Sequence, residues 1–220
     1  MSLVCLSRPL RPGLPAYNGQ QDAFTVTHIS DMKQGAATNS LRLSLNNHLG
    51  THIDFPRHFF RDGRTWDDYP PEHFFFRRPL VGHVPLTEGR CLIVEDLKII
   101  EADPEADLLL LKTDYGRFYE LERYWNDNPG LGPEAAAWLK SRFPGLRALG
   151  VDFISINAHR NKDAGRAAHR LLLSPPEVLI IEDMNLEPLA GARPNWVLAA
   201  PLPVAGADGA PVTVLADLGV

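Results

Sequence analysis

The sequence predicts an α/β domain built around a mixed, partly closed sheet. Strand and helix patterns alternate over the second half of the chain, which is typical of this class. The 220 residues fit one domain, and the prolines and glycines are scattered instead of being pooled in a linker. We therefore predict a single domain over residues 1–220, which a C-terminal hairpin completes.

The first half of the chain contains strand patterns separated by loops. Residues 1–20 are punctuated by proline and glycine, which predicts an arm or loop. Residues 24–29 alternate loosely between apolar and polar, and 41–45 alternate strictly, so both are predicted strands. Residues 61–71 are polar and aromatic, which predicts an exposed loop. The apolar run 108–111 predicts a strand buried on both faces.

The second half opens on the clearest helix pattern. Pro133 suits a first helical turn, Glu134 suits the positive end of the helix dipole, and the alanines that follow have high helix propensity, so 132–140 is a predicted helix. Residues 146–151 and 153–156 are then predicted strands.

The chain ends in a helix, a strand and a hairpin. Residues 164–172 predict a short helix, and 178–181 predict a buried strand that delivers Glu182 at its end. The segments 196–203 and 212–216 predict a closing hairpin with its turn at 207–209.

Composition excludes several functions. The formal net charge is −5 with no basic stripe, which argues against a partner nucleic acid, since phosphate binding needs clustered cations. No apolar stretch approaches the roughly 20 residues of a membrane span. The two cysteines, Cys5 and Cys91, are far apart in sequence and predict unpaired thiols in a reducing compartment. We expect a cytoplasmic protein that acts on a small molecule.

The densest chemical signal lies in the segment 48–58. It contains His48, His52, Asp54 and His58, whose even spacing would place them on one side of an extended chain. Gly50 lets the chain bend, and a proline at position 56 predicts that the segment then leaves the sheet. Loop residues without a function are the alternative, but four potential ligands on one face favour a metal site.

The ligand types indicate which metal and which kind of site. Imidazole and carboxylate groups suit Zn²⁺ first, and Mn²⁺ or Fe²⁺ as alternatives. Two histidines and one carboxylate leave positions open for water, which is typical of a catalytic centre, whereas a sealed structural site would use cysteines. A neighbouring histidine such as His58 could transfer protons.

The segment His48-x-Gly50-Thr51-His52-x-Asp54-x-Pro56-x-His58 resembles the signature of the cyclase family of metal-dependent hydrolases, which includes bacterial kynurenine formamidase and isatin hydrolase. The resemblance extends along most of the chain. The further segments that carry it are Leu6-Ser7, Pro15-Ala16-Tyr17, Asp114-Tyr115-Gly116, Pro129-Gly130-Leu131, Gly150-Val151-Asp152-x-x-Ser155, His169-Arg170-Leu171-Leu172 and Glu182.

The resemblance implies a fold and a set of site residues. The fold would be a compact, mixed, β-barrel-like domain of the swivelling β/β/α type, in a homodimer or homotetramer. His48, His52 and Asp54 would bind one metal ion, and the two-metal members would add His169 and Glu182, with Asp54 serving both ions. His58 would be a ligand or the catalytic proton carrier. From the residues alone, His169 is equally compatible with a core position, and Glu182 with an arginine partner.

The implied activity is hydrolysis of a carbon–nitrogen bond in an amide, formamide or cyclic imide by metal-activated water. Kynurenine formamidase is the first candidate, and a lactone or isatin-type ring hydrolase is the alternative. Two positions differ from many formamidases, namely Asn157, where they carry aspartate, and Ala168, where they often carry a second histidine.

Aromatic residues follow the signature closely. Phe59, Trp66 and Tyr69 predict a substrate-binding wall or lid, with loop packing or a dimer contact as the alternative. Two other classes of protein are disfavoured by the sequence. A non-catalytic metal-binding module is disfavoured by the intact set of ligands. A serine hydrolase is disfavoured because the sequence has no Gly-x-Ser-x-Gly motif.

Overall fold

The computed structural model of the protein describes residues 2–13 and 16–219, so Pro15 of the quoted opening lies outside the described residues. The strands are β1 (Leu3–Cys5), β2 (Phe24–Ser30), β3 (Ser40–Leu45), β4 (His52–Asp54), β5 (Phe75–Phe76), β6 (Pro79–His83), β7 (Cys91–Leu92), β8 (Leu108–Lys112), β9 (Gly130–Leu131), β10 (Ala148–Val151), β11 (Leu179–Glu182), β12 (Trp196–Pro201) and β13 (Gly209–Asp217). The helices are α1 (Val94–Leu97), α2 (Arg123–Asn126), α3 (Pro133–Arg142) and α4 (Lys162–Leu173).

A nine-stranded mixed sheet organises the molecule in the order β5-β12-β13-β4-β11-β10-β8-β6, with β1 also paired to β13. Strands β6, β8, β10 and β11 are parallel, whereas β4, β13, β12, β5 and β1 join antiparallel. The two small sheets, β2–β3 and β7–β9, lie off this path. The mixed sheet of the prediction is confirmed.

The sheet curls so that its ends approach each other. Strands β5 and β6 lie at opposite ends of the strand order, yet only Arg77 and Arg78 separate them in the chain. Three peptide steps span at most about 11 Å, so the two ends must be neighbours in space. Arg147, which precedes β10, donates to the carbonyls of His73 and Phe75 near the first end. The barrel-like character of the predicted fold follows from this closure.

The core fills the inside of the curled sheet and the space beneath α3 and α4. Leu108, Leu109, Leu110 and Leu111 of β8 are fully buried, as expected for a strand covered on both faces. Helix α4 buries Gly165, Ala168, His169, Leu172 and Leu173, which recur at the helical spacing of three and four residues. This periodicity turns His169 toward the sheet.

Three local predictions were wrong in instructive ways. The N-terminal arm is partly a strand, because β1 pairs with the end of β13. Residues 153–156 form a series of bends instead of a strand. The loop 61–71 contains the 3-10 turn Trp66–Asp68, and it buries Tyr69 although the sequence suggested exposure.

The hairpin β2–β3 stands apart from the main sheet. Ile29 of β2 and Leu41 and Leu43 of β3 are at least half exposed, so the alternation in β3 does not direct these leucines into the core. Among the described residues, no helix is both long and apolar enough to cross a bilayer.

Candidate metal centre

Strand β4 provides the centre of the site. His52 and Asp54 are two residues apart, so they project from the same face of the strand, and both side chains are buried. Strand β4 lies between β11 and β13, and the register pairs His52 with Glu182 and Asp54 with Gly209. Directly opposite residues lie about 5 Å apart at Cβ, so the sheet register itself brings Glu182 to His52.

The signature is not extended throughout, as its even spacing suggested. His48 lies in a turn after β3, Gly50 takes the left-handed conformation with φ 63°, and His58 ends the 3-10 turn Pro56–His58. The turns nevertheless return both histidines to Asp54. His48 Nδ1 lies 2.8 Å from Asp54 Oδ1, and the rings of His48 and His58 have centroids 4.0 Å apart.

Helix α4 carries the late histidine. The helix is capped by the Asn161 side chain, which accepts from the Ala164 amide. One turn before His169, the Gly165 carbonyl accepts a hydrogen bond from His169 Nδ1 at 2.8 Å. The Gly50 carbonyl accepts from His52 Nδ1 in the same way, also at 2.8 Å. A carbonyl can only accept, so the Nε2 atoms of His52 and His169 are the ones left to face the carboxylates.

Neighbouring donor atoms are separated by distances typical of two ligands that share an ion. His52 Nε2 lies 3.5 Å from Asp54 Oδ1 and 3.4 Å from Glu182 Oε2. His169 Nε2 lies 3.3 Å from Glu182 Oε1 and 3.7 Å from Asp54 Oδ2. Ligands about 2.1 Å from a tetrahedral ion lie roughly 3.4 Å from one another, which matches these separations.

Two groups of potential ligands share Asp54. His48, Asp54 and His58 form one, and His52, Asp54 and Glu182 form the other, with donor atoms within 4.8 Å of one another in each. The grouping differs from the family-implied one, in which His48 and His52 belong together. Asp54 Oδ2 is buried without a hydrogen-bond partner among the described residues, and a bound cation would supply one. The residues therefore fit a divalent metal ion.

Electrostatics support the same reading. Burial acts to raise the pKa of Asp54 and Glu182, but hydrogen bonds from His48 to Asp54 and from His169 and His52 to Glu182 outweigh it and lower both pKa values. Burial acts to lower the pKa of His48, but hydrogen bonds to Asp54 and Asp208 raise it to about 9. The two buried carboxylates therefore favour the protonated form of the neighbouring histidines. A bound metal ion would supply the same positive charge in place of those protons.

Asp208 is the member of the cluster that the sequence did not reveal. It lies in the turn between β12 and β13, and its Oδ2 is 3.1 Å from both His48 Nε2 and His58 Nδ1. Burial acts to raise the pKa of Asp208, but hydrogen bonds from the two histidines lower it to about 2. The sequence signal was the Asp-Gly pair, which predicted a turn at 207–209; the turn lies at 205–206, and Gly209 already begins β13.

The bends at 153–156 explain how Glu182 is held. Ser155 Oγ donates to Glu182 Oε1 at 3.1 Å, and the amide of Ile156 donates to the same oxygen at 2.7 Å. In a regular strand the Ile156 amide would have bonded to a neighbouring strand. The bends at 153–156, which the sequence did not predict, therefore contribute to the site. Glu182 keeps Oε2 for His52.

A cavity of about 210 Å³ opens above these residues, and Tyr17, Phe59 and Ile154 form its apolar lining. The Phe59 ring stacks on His169, with centroids 4.8 Å apart and planes 21° apart. Of the three aromatic residues predicted to contact substrate, only Phe59 lines this cavity. Tyr69 is buried against Phe55 beneath Arg64, and Trp66 packs against the core, because their loop folds down onto the sheet.

Comparisons with known proteins concern the family and the fold. The family model Cyclase, described as "Putative cyclase", matches residues 4–158, which include the signature; His169, Glu182 and Asp208 lie beyond the match. The kynurenine formamidase of Bacillus cereus is 25% identical over 209 residues, covering 95% of this chain and 94% of its own.

Solved structures share the fold. Isatin hydrolase A from Ralstonia solanacearum has a TM-score of 0.82 at 24% identity, over 98% of this chain and 91% of its own. Isatin hydrolase A from Labrenzia aggregata, bound to benzyl benzoate, has a TM-score of 0.77 at 25% identity, over 98% and 93%. The predicted fold class and hydrolase class are confirmed by these likenesses. With the family model matching well over half of its residues, the chain belongs to the cyclase family.

Proposed function

We propose that this protein hydrolyses a carbon–nitrogen bond of a small amide, formamide or cyclic imide with the help of a divalent metal ion. One observation carries the proposal: Asp54, buried and with an unpartnered Oδ2, is shared by two groups of potential ligands whose other members line a cavity. Buried carboxylates without sufficient positive charge are costly, so such a cluster is retained where an ion is used.

The proposed ligands are His48, His52, Asp54, His169 and Glu182, for one or two ions per chain. Imidazole and carboxylate donors at these separations favour Zn²⁺, with Mn²⁺ as the alternative. A bound ion would polarise the scissile carbonyl and lower the pKa of a water molecule.

The chain's own residues orient the ligands and transfer the proton. Ser155 and the Ile156 amide hold Glu182, while the Gly50 and Gly165 carbonyls fix the tautomers of two histidines. His58 is the proposed proton carrier. Its side chain is 30% exposed, and its Nδ1 is occupied by Asp208, so Nε2 can accept a proton from water and return it to the leaving nitrogen.

The cavity supports a small, flat substrate. An engineered apolar cavity of about 150 Å³ holds benzene, so about 210 Å³ suits one aromatic ring together with its reacting group. Phe59 and Tyr17 offer faces on which a ring can stack.

Kynurenine formamidase activity is the first candidate, supported by the relative from Bacillus cereus that aligns over nearly all of both chains. Hydrolysis of an isatin-type ring is the second. A specific observation favours it: among the described residues, no lysine or arginine lines the cavity, and Asn157 is neutral. A neutral ring substrate needs no basic side chain for binding. The carboxylate of N-formylkynurenine is charged and would be expected to have one.

The test is hydrolysis of N-formylkynurenine and isatin by the purified protein, before and after chelation and after addition of Zn²⁺ or Mn²⁺. We expect turnover of one of them that chelation abolishes and metal restores. Turnover that survives complete removal of metal would contradict the proposal. Turnover of isatin alone would favour the ring hydrolase over the formamidase.

We also propose that the protein self-associates through the hairpin β2–β3. Ile29, Leu41 and Leu43 expose apolar side chains there, and Met32 at the tip is 57% exposed. Light scattering after size-exclusion chromatography would test this. A dimer or tetramer that Leu43→Lys converts to monomers is expected, and a wild-type monomer would contradict the proposal.

A further inference from the structure

We infer that Asp208 is a positioning residue that determines which ring nitrogens of His48 and His58 carry hydrogen. The inference rests on the proposed function, because it concerns the lone pair that His48 offers to an ion and the lone pair that His58 offers to a proton. One carboxylate would thereby couple metal binding to proton transfer.

The backbone of Asp208 is held in place by the sheet. Gly209 pairs with Asp54 at the start of β13, and the amide of Phe55 donates to the Asp208 carbonyl at 2.9 Å. On the side chain, Asn47 Nδ2 donates to Oδ1 at 2.7 Å. With its backbone and Oδ1 fixed, Asp208 directs Oδ2 at the two imidazoles.

Asp208 Oδ2 lies within hydrogen-bond distance of two imidazole rings. His48 Nε2 and His58 Nδ1 are each 3.1 Å from it. An ionised carboxylate only accepts hydrogen bonds, so both nitrogens must carry hydrogen. In a neutral His58 the other nitrogen, Nε2, is then bare, and none of the hydrogen bonds among the described residues uses it. The other nitrogen of His48, Nδ1, donates to Asp54 Oδ1 at 2.8 Å, and a bound ion would take the place of that hydrogen.

This arrangement meets two chemical requirements. A histidine that binds a metal usually donates its other N–H to a carboxylate or carbonyl, which fixes its tautomer and orientation. A histidine that accepts a proton needs the same fixation. His52 and His169 meet the requirement with backbone carbonyls, whereas His48 and His58 share Asp208. The following glycine is part of the device, since a Cβ at Gly209 would overlap the His48 ring.

The direct test is ¹⁵N NMR of the histidine rings in the zinc-loaded protein, with zinc affinity measured against a competing chelator. In the wild type we expect hydrogen on His48 Nε2 and His58 Nδ1. Asp208→Asn keeps the size and shape of the side chain and removes its charge. In this variant we expect His58 to move toward the Nε2–H form and the zinc Kd to rise about 10- to 100-fold.

Asp67→Asn is the matched control. Asp67 accepts a hydrogen bond from the Gly206 amide, so it holds the same turn without touching either ring. In Asp67→Asn, the tautomers of His48 and His58 and the zinc Kd should equal those of the wild type. The inference is overturned if Asp208→Asn changes neither quantity, or if Asp67→Asn changes both equally, since the effect would then come from the turn. A wild type that binds no zinc would instead refute the proposed function, and the inference with it.

Discussion

The site has two halves that differ in depth and in origin. In the buried half, the side chains of His52, Asp54, His169 and Glu182 are 6%, 1%, 3% and 4% exposed. In the rim half, those of His48, His58 and Asp208 are 22%, 30% and 38% exposed. Strands β4 and β11 and helix α4 supply the buried half, and turns supply the rim half.

The difference indicates a division of work. Regular elements hold donor atoms at fixed separations in a site of low polarity, which is what binding an ion requires. Turns at the surface keep imidazoles in contact with water, which is what proton exchange requires. We therefore expect changes in the buried half to remove metal, and changes at His58 in the rim half to affect turnover more than metal content.

The largest effect should come from Asp54→Asn. Asp54 belongs to both ligand groups, and loss of its charge leaves no carboxylate between them. Metal measured by mass spectrometry should fall to background, and kcat/KM by about 10³-fold or more, since a catalytic ion supplies several kcal/mol. Asp152→Asn is the matched control, because Asp152 is equally buried but outside both groups. Normal metal content in Asp54→Asn would contradict the account.

His58→Gln should separate the two halves. We expect kcat to fall about 10²- to 10⁴-fold through loss of the proton carrier, while most of the metal stays bound. His83→Gln is the control, because it removes an exposed histidine of β6 that is paired with Asp114. It should leave kcat and the metal content unchanged. Full turnover in His58→Gln would eliminate the proposed role.

The metal-free protein should lose stability as pH rises from neutral to alkaline. The pKa of His48 is raised from 6.5 to about 9, so its contribution is complete below pH 6.5 and is lost as pH rises through 9. The raised pKa values of His52 and His169 act in the same direction. Urea unfolding in EDTA should show a loss on the order of 2–3 kcal/mol between pH 6 and 9.5.

His48→Gln provides the comparison for that experiment. The variant should be less stable than the wild type at pH 6, and its stability should fall less as pH rises. An equal fall in both proteins would show that His48 is not the group responsible.

The smallest effect should come from Phe59→Leu, at the wall of the cavity. Loss of the ring that stacks on His169 should raise KM for an aromatic substrate about fivefold, because aromatic pairs contribute roughly 1 kcal/mol. Phe60→Leu is the control, since Phe60 lies outside this cavity. Equal KM values for the two variants would contradict the assignment of Phe59 to the substrate wall.

How much the sequence could predict follows from the same division. His52, Asp54 and His58 were found because short-range spacing and family resemblance both report on one segment. Glu182 and His169 needed the resemblance, since a buried strand end and a helix face are equally compatible with core packing. The helix at 132–140 and the strand at 108–111 were recognised from propensity and local pattern.

What the sequence could not predict depends on long-range placement. Asp208 comes next to His48 only through the pairing of β13 with β4, about 160 residues along the chain. The bends at 153–156 replace a predicted strand because the Ile156 amide bonds Glu182. Tyr69 was predicted either at the substrate or in loop packing, and its ring packs against Phe55 and Arg64. Asp208 and His48, like Ile156 and Glu182, are far apart in sequence.

The central claim is that Asp54 is the common ligand of a catalytic metal. Its most direct test is a crystal structure of the zinc-loaded protein with anomalous diffraction recorded at the zinc edge. The account predicts an anomalous peak at coordination distance, about 2.0–2.2 Å, from an oxygen of Asp54 and from His52 Nε2 or His48 Nδ1. Zinc bound only elsewhere, or no peak in a crystal of the loaded protein, would contradict it.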